Sequence, residues 1–255
     1  MSDSRLSVAI ITYNEESNIR DCLASVAWAD EIIVVDSFST DGTIDICSRF
    51  GVNVLQREWP GHVRQKQFAM DQATGDWVLC LDADERLSDE AAREIRAVLQ
   101  SDPSADGFIF PRQSFYLNRW ISHGGWYPDA KLRLVRRGTA RWGGEDPHDK
   151  LLSDGTVAVL SGKILHYVYR DISHQLKTVD SFSGISAQQW HRQDKRCSLF
   201  LLLFRPPVRF LEMYLWKKGF LDGMPGLIIA VVSSYYVFLK YAKLWELQNT
   251  AGRRQ

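Results

Sequence analysis

The chain has 255 residues and equal numbers of basic and acidic residues, 31 Lys plus Arg against 31 Asp plus Glu. A content of 45% hydrophobic and 24% charged residues is ordinary for a globular protein, and it excludes an intrinsically disordered or collagen-like chain. The balanced total also argues against a generally basic nucleic-acid-binding protein, so no nucleic acid is expected as a partner.

The zero total hides two oppositely charged regions. Residues 190–255 carry 11 Lys plus Arg against 4 Asp plus Glu, a balance of +7, and residues 1–189 carry 20 against 27, a balance of −7. This asymmetry indicates a C-terminal part that faces an anionic partner, with a merely solvated basic tail as the alternative.

Cysteine spacing and the N-terminal sequence both bear on the compartment. The four cysteines lie too far apart for a zinc or redox motif, which indicates reduced thiols in a cytoplasmic protein. Residues 1–14 lack the basic and long apolar regions of a signal peptide and are expected to lead into the first strand.

The first half of the chain alternates short apolar runs with segments of helical spacing. Strands are predicted at 6–12, 31–35, 52–56 and 77–81, and helices at 16–26, 43–50, 63–73 and 88–99. Near-continuous apolar strands that alternate with helices indicate a Rossmann-like parallel sheet covered on both faces. Ligands bind beyond the carboxyl ends of such strands, so residues 12–16, 36–41 and 82–85 are expected to converge on one crevice.

After about residue 105 the alternation stops. Strands are predicted at 107–111, 132–135 and 164–169, a helix at 172–193, and two apolar stretches at 199–204 and 227–239. The chain between Asp222 and Lys240 has 17 uncharged residues, fewer than the about 20 that a spanning helix needs. Aromatic residues beside lysines, such as Trp216 beside Lys217, favour a helix in the membrane interface, with a core or dimer helix as the alternative.

The strongest local signal is the pair Asp82 and Asp84, directly after the fourth predicted strand. Mg²⁺ and Mn²⁺ bind few protein carboxylates and complete their shell with water and phosphate oxygens. Asp36 follows the second strand, where a carboxylate can accept hydrogen bonds from a base or ribose, and Thr12 and Asn14 offer polar contacts after the first. An exposed turn remains the alternative for the Asp82 pair.

Together, Ile11-Thr12-Tyr13-Asn14-Glu15, the Asp36–Thr43 segment and Leu81-Asp82-Ala83-Asp84 resemble the motifs of family 2 glycosyltransferases, which have the GT-A fold. The resemblance implies an α/β fold with a mostly parallel sheet, a nucleotide-sugar donor and a divalent metal, Mg²⁺ or Mn²⁺. It places the donor around Thr12, Glu15, Asp36, Arg64 and Asp82, with Asp84 on the metal. Asn14 is predicted as a further donor contact.

The second half is similar to the lipopolysaccharide inner-core β-1,4-glucosyltransferase group, through residues 116–134 and 142–149. This implies UDP-glucose as donor and a core heptose as acceptor. The predicted acceptor or phosphate contacts are Trp126, Lys131, Arg133 and His148. Where that group usually has valine-histidine-glutamate, this chain has Pro147-His148-Asp149, and the carboxylate is kept with a shorter reach.

Inverting transfer needs a base that takes the proton of the acceptor hydroxyl. Asp149 is the first choice, and Glu145 and Asp146 remain alternatives. Phosphates of donor or acceptor are predicted partners of nearby cations, including Arg136 and Arg137, unless these are ordinary surface charges.

Three regions are therefore predicted. Residues 1–105 form the nucleotide-sugar-binding half, residues 106–192 the acceptor-binding and catalytic half of the same domain, and residues 193–255 a basic, aromatic helical extension that associates with the cytoplasmic face of the inner membrane. The alternatives are another glycolipid or polyprenyl-phosphate acceptor, or a nucleotidyltransferase. The last is disfavoured because residues 12–16 lack a Gly- and basic-rich phosphate loop.

Overall fold

A computed structural model describes residues 4–101, 103–146 and 148–250, with the side chains of His148 and Thr250 outside the described part. The chain forms two compact units. The first comprises Met1–Gln113 and Asp129–Tyr167, and the second comprises Ser114–Pro128 and Val168–Gln255. The predicted division at residues 105 and 192 concerns roles and stays a prediction.

The elements in chain order begin with the alternating half: β1 Leu6–Thr12, α1 Ile19–Val26, β2 Glu31–Asp36, α2 Thr43–Phe50, β3 Asn53–Gln56, α3 His62–Asp71, β4 Trp77–Asp82, β5 Glu85–Leu87 and α4 Asp89–Ser101. The strands that follow are β6 Gly107–Tyr116, β7 Arg119–Trp120, β8 Asp129–Arg136, β9 Ala140–Glu145, β10 His148–Ser153, β11 Val157–Val159 and β12 Ile164–His166. The helices of the last part are α5 Ile172–Arg192, α6 Leu199–Leu211 and α7 Gly223–Thr250.

The main sheet has the strand order β3-β2-β1-β4-β8-β6-β12-β5. The first four strands in this order are parallel, and β8 joins β4 in the antiparallel direction. The parallel half predicted from the alternating pattern is therefore confirmed, as is the smaller mixed region beyond it. A separate hairpin, β9 with β10, was not predicted.

All seven residues of β1 are buried, which explains why this strand is a continuous apolar run. Alternate side chains point to opposite faces of the sheet. Val8 packs in one core with Ile19 of α1, and Ala9 packs in another with Ala69 of α3. The central strand is thus covered on both faces.

The register of the parallel strands brings three polar residues to one edge of the sheet. Thr12 pairs with Asp36 across β1 and β2, and Ile11 pairs with Asp82 across β1 and β4. The carboxyl ends of these strands are therefore level, as the sequence predicts. Helix α1 begins at Ile19, later than predicted, because Glu15 to Asn18 form a turn whose carbonyl at Glu15 accepts the Ile19 N–H.

The second unit is mainly helical. Helix α7 packs against α5 and α6, and a π-helical turn, Glu212–Trp216, and a 3-10 turn, Gly219–Asp222, join α6 to α7. This confirms the predicted helical C-terminal region. Within the described ranges, Gly219–Asn249 is the one helical stretch long and apolar enough to cross a membrane, a test that core helices of soluble proteins also pass.

Candidate active site

Hydrogen bonds tie the loops after β1 and β2 together. The Asn14 backbone, at a φ of 54°, donates its N–H to Ser39 Oγ at 2.8 Å. Asn14 Oδ1 accepts the Thr40 N–H at 2.8 Å, and the Glu15 N–H bonds Thr43 Oγ1 at 2.9 Å. Two of the predicted donor residues therefore also hold the loops in place.

Asp36 is fully buried at the end of β2. Its carboxylate accepts the Ser39 N–H at 2.9 Å and the Gln56 amide at 3.3 Å. Among the residues that the structure describes, the buried Thr12 Oγ1 and Gln65 Oε1 make no hydrogen bond. Buried polar atoms normally have a partner, so these two atoms are suited to a polar ligand at this edge.

The predicted base and the first carboxylate of the Asp82 pair share one buried lysine. Lys66 Nζ lies 2.8 Å from Asp82 Oδ1 and 2.8 Å from Asp149 Oδ2. Lys66 stands on α3 and Asp149 on β10, so three distant parts of the chain meet here. Sequence reasoning missed Lys66 and favoured Arg64, which lies on the exposed side of α3.

Arginines extend this network toward β5. Arg133 Nη2 lies 3.2 Å from Asp82 and 2.8 Å from Glu85 Oε1, and Arg112 Nη1 bonds the same oxygen of Glu85 at 2.8 Å. The network ends at Asp129, which also pairs with Lys131 at 3.1 Å. Charges of opposite sign therefore alternate through a largely buried region.

The pKa values follow from these pairs. Burial alone would raise the pKa of Asp82, but Lys66 and Arg133 hold it well below its usual range. Burial would likewise raise the pKa of Glu85, and Arg133 and Arg112 lower it. Burial acts to lower the pKa of Lys66, yet Asp82 and Asp149 raise it. These side chains are therefore charged at neutral pH.

The three candidate bases occupy different environments. Asp149 is the one paired with Lys66 beside Asp82, and its side chain is 12% exposed. Asp146 Oδ1 accepts the Val63 N–H at 3.2 Å in the first turn of α3, which gives this carboxylate a local structural role. Glu145 is exposed at the end of β9.

A second residue pair lies beside this network. Asp84 Oδ2 is 3.2 Å from His166 Nε2, and the Tyr167 N–H donates to the Asp84 carbonyl at 2.9 Å. His166 faces Glu85 across the antiparallel β5–β12 pair, which places it next to the Asp82 loop. A histidine nitrogen and a carboxylate oxygen at this separation suit neighbouring ligands of one divalent cation.

The described residues contain no group of three or more His, Cys, Asp or Glu side chains that could hold a metal. Within this described part, Asp84 and His166 are a pair of candidate ligands. This fits a cation that takes its remaining ligands from phosphate and water.

The other predicted contacts are dispersed. Trp126 belongs to the second unit, with its ring 5.7 Å from that of Tyr116 and 6.3 Å from that of Tyr169. The side chain of His148 lies outside the described residues. Arg136 and Arg137 have structural partners, since they donate to the carbonyls of Pro103 and Gly75, each at 2.9 Å. They lie beside the amino end of β4, opposite the site, so their predicted phosphate contact is wrong.

Replacing Glu85 with Gln is expected to lower the free energy of unfolding at neutral pH by about 3–5 kcal/mol, because the buried Arg133 and the partly buried Arg112 lose their shared counter-charge. A carboxyl whose pKa is lowered by folding stabilises the protein above its unfolded pKa, near 4.3, and loses this contribution as pH falls. The difference between parent and variant should therefore be full above about pH 5 and shrink below about pH 4. Urea unfolding across pH measures it.

The matched control is Asp154→Asn, which breaks an exposed pair with Arg141 at 2.9 Å. This change should cost at most about 1 kcal/mol. Equal destabilisation by both variants, or a Glu85→Gln effect independent of pH, would contradict the role given to the buried network.

Sequence comparison places the chain among known transferases. The profile of the family "Glycosyl transferase family 2" matches residues 7–155. A Rhizobium meliloti protein, lipopolysaccharide core biosynthesis glycosyltransferase LpsC, is 30% identical over 97% of this chain and 94% of its own length. An uncharacterized glycosyltransferase of Rickettsia typhi is 29% identical over 95% of this chain and 87% of its own length.

Two solved structures share the fold. One is S. aureus TarS 1–349 in complex with UDP-GlcNAc, at a TM-score of 0.50 and 15% identity over 98% of this chain and 93% of that one. The other is mannosyltransferase PcManGT from Pyrobaculum calidifontis in complex with GDP-Man and Mn²⁺. Its TM-score is 0.51, and it is 14% identical over 99% of this chain and 89% of that one. The fold is that of the GT-A glycosyltransferases, and the chain belongs to glycosyl transferase family 2.

Proposed function

We propose that the protein is an inverting hexosyltransferase that moves glucose from UDP-glucose to a heptose of a lipopolysaccharide core. The observation that carries the proposal is the buried Asp82–Lys66–Asp149 arrangement beside the Asp84–His166 pair, at the carboxyl end of a parallel sheet. The likeness to a lipopolysaccharide core glycosyltransferase over almost the whole chain supports the acceptor class.

The donor is proposed to lie across the ends of β1, β2 and β4. Thr12, Glu15 and Asp36 surround the nucleoside, Asn14 contacts the donor from its loop, and Asp82 approaches the ribose and sugar. Arg64 stays a predicted donor contact. The relatives in fold that bind UDP-GlcNAc and GDP-Man support a nucleotide sugar as donor.

Asp84 and His166 are proposed to hold Mg²⁺ or Mn²⁺ together with the donor diphosphate. A divalent cation at this position supplies Lewis-acid neutralisation of the departing diphosphate. The chain contributes the two ligands and the hydrogen bond from Tyr167 that fixes the backbone of Asp84.

Asp149 is proposed to take the proton of the acceptor hydroxyl. Lys66 fixes the position of this carboxylate relative to Asp82, because one ammonium group bonds both side chains. Holding base and donor in one geometry is the main way in which a protein accelerates such a transfer.

The acceptor is proposed to be anionic, with Lys131 and Arg133 nearest the network and Trp126 and His148 as further contacts. The enzyme would act at the cytoplasmic face of the inner membrane. Another glycolipid or a polyprenyl phosphate as acceptor remains the second candidate, favoured only by the apolar surface of the second unit.

A donor and acceptor screen tests the proposal. The full chain is incubated with UDP-glucose, UDP-galactose, UDP-GlcNAc or GDP-mannose, and with deep-rough lipopolysaccharide or a polyprenyl phosphate. We expect UDP release and a product one hexose heavier only with UDP-glucose and the lipopolysaccharide acceptor. Transfer to polyprenyl phosphate alone would favour the second candidate, and a nucleotide sugar formed from a sugar phosphate would overturn both.

A further inference from the structure

The outer side of α6 is apolar and exposed. Large apolar side chains with half or more of their surface accessible occur along its whole length: Leu199, Phe200, Leu203, Phe204, Val208 and Leu211. Contiguous apolar surface of this kind on a soluble protein marks an interaction site. These six residues are the α6 outer face.

The six residues fall on one side of the helix. At 3.6 residues per turn they span about 180° of the circumference, from Leu199 to Val208. Pro206, which is buried, lies outside this arc, and its carbonyl accepts a hydrogen bond from Ser234 of α7 at 2.8 Å. Helix α6 is therefore bound to the second unit on one side and uncovered on the other.

Cations lie beyond the edges of this face. At about 100° per residue, Arg205 stands about 60° past Val208 and Arg209 about 80° before Leu199, and Lys217 and Lys218 follow the π-helical turn. Glu212 pairs with Arg209 at 2.9 Å and with Lys217 at 2.7 Å, so the balance of these five charges is positive. Burial lowers the pKa of Lys240, and the positive charges of Lys195, Arg205 and Arg209 lower it further. This surplus of positive charge beside an apolar face is complementary to a surface that is apolar inside and anionic at its rim.

Trp216 strengthens the assignment. Its side chain is 86% exposed at the end of the π-helical turn, next to Lys217. An indole beside a lysine is the usual composition of a segment at the level of lipid headgroups.

Helix α7 is long and apolar enough to cross a membrane, but polar contacts hold it inside the second unit. Tyr236 Oη lies 2.8 Å from Ser186 Oγ of α5, and Lys243 bonds Asp180 at 2.7 Å. The buried Asp222 accepts the His123 N–H at 2.7 Å. A spanning α7 would have to break these contacts, whereas α6, with 13 residues, is about 20 Å long and too short to span.

We propose that the α6 outer face lies in the headgroup region of an anionic phospholipid bilayer, with α6 parallel to the membrane plane. The flanking arginines and lysines contact lipid phosphates, and the phenylalanines and leucines enter the acyl boundary. The placement of an enzyme next to a membrane-held acceptor rests on the proposed function, whereas the lipid contact itself does not.

Flotation with vesicles tests the contact. The full chain should float with vesicles of phosphatidylglycerol and phosphatidylethanolamine, and not with pure phosphatidylcholine. Raising NaCl from about 0.1 M to about 0.5 M should weaken binding, because exposed charges are screened. Phe204→Asp should reduce the partition coefficient about tenfold or more, because an apolar side chain is lost and a like charge faces the anionic surface.

Val159→Asp is the matched control, because Val159 is 72% exposed on β11 of the first unit. It should bind vesicles as the parent does. The double variant Arg205→Gln, Lys218→Gln leaves the apolar face and the Arg209–Glu212 pair intact and should lose about fivefold per charge at low salt. Circular dichroism checks that each variant is folded.

Equal binding by the parent and Phe204→Asp would overturn the proposal, as would loss of binding in Val159→Asp. A dimer that becomes a monomer in Phe204→Asp, without vesicle binding by the parent, would assign the face to a second copy instead. Resistance of membrane-bound protein to alkaline carbonate extraction would assign it to a spanning chain.

Transfer assays separate this inference from the proposed function. Phe204→Asp should transfer to a deacylated, water-soluble core oligosaccharide at the parental rate and lose rate only with acceptor held in vesicles. If the parent protein binds vesicles but transfers no sugar, the lipid contact is supported and the proposed function is contradicted.

Discussion

Replacing Asp149 with Asn is expected to lower kcat about 10²–10⁴-fold, the contribution typical of a positioned general base. The amide has the shape of the carboxylate but cannot accept the hydroxyl proton. Lys66 keeps its pair with Asp82, so the site retains a counter-charge and the fold should persist. UDP-glucose affinity, measured by calorimetry, should stay within about threefold of the parent, since the base acts on the acceptor.

Two controls separate Asp149 from its neighbours. Glu145→Gln changes an exposed carboxylate, and Asp146→Asn changes one that bonds the Val63 N–H in the first turn of α3. Both should retain most of kcat, with Asp146→Asn losing some stability. Normal turnover by Asp149→Asn together with loss of turnover in either control would show that another carboxylate is the base.

The parallel half of the fold could be predicted from sequence because its central strands, β1 and β4, are buried on both faces and are therefore continuous apolar runs. The predicted β1 has the bounds that the structure gives. The β9–β10 hairpin was missed because its strands contain glycines and charges and owe their order to pairing with each other and to packing of Trp142 and Leu151 against the core.

The sequence pattern alone predicted those site residues that follow strands, whereas Asp149 was proposed as the base through the resemblance and Lys66 was not predicted. Asp36, Asp82 and Asp84 stand at the carboxyl ends of parallel strands, which the sheet topology brings together. The local sequence pattern was therefore sufficient to predict that they share one site. Lys66 and Asp149 are 83 residues apart, and no short-range signal connects them. A lysine in a polar helix predicts a solvated side chain, and only the tertiary structure, with Asp82 on one side and Asp149 on the other, explains its burial.

His166 illustrates the same limit. It ends a three-residue strand whose apolar neighbours predict nothing beyond a core position. Its place beside Asp84 results from pairing between β12 and β5, and β5 itself was not predicted. The sequence offers one signal for His166. It is a histidine that directly follows a short apolar run, Ile164-Leu165.

Removing either proposed ligand is expected to abolish metal-dependent binding of the donor. Asp84→Asn and His166→Asn should each weaken Mn²⁺ affinity in the presence of UDP by more than the 10–100-fold typical of an outer-shell partner, because each removes one of the two proposed protein ligands. The free Mn²⁺ signal in electron paramagnetic resonance measures this without turnover. Transfer by the parent should stop in excess chelator and return with added Mn²⁺ or Mg²⁺.

The control for this prediction is His191→Asn, since His191 is exposed in the last turn of α5 in the second unit. It should bind Mn²⁺ as the parent does, which excludes an effect of losing any histidine. A His166→Asn protein with parental Mn²⁺ affinity would remove His166 from the site and leave Asp84 as the sole protein ligand. Full transfer by the parent in chelator would contradict the metal site altogether. The Asp84–His166 contact would then be an ordinary ion pair, and Lys66 and Arg133 would have to neutralise the departing diphosphate by themselves.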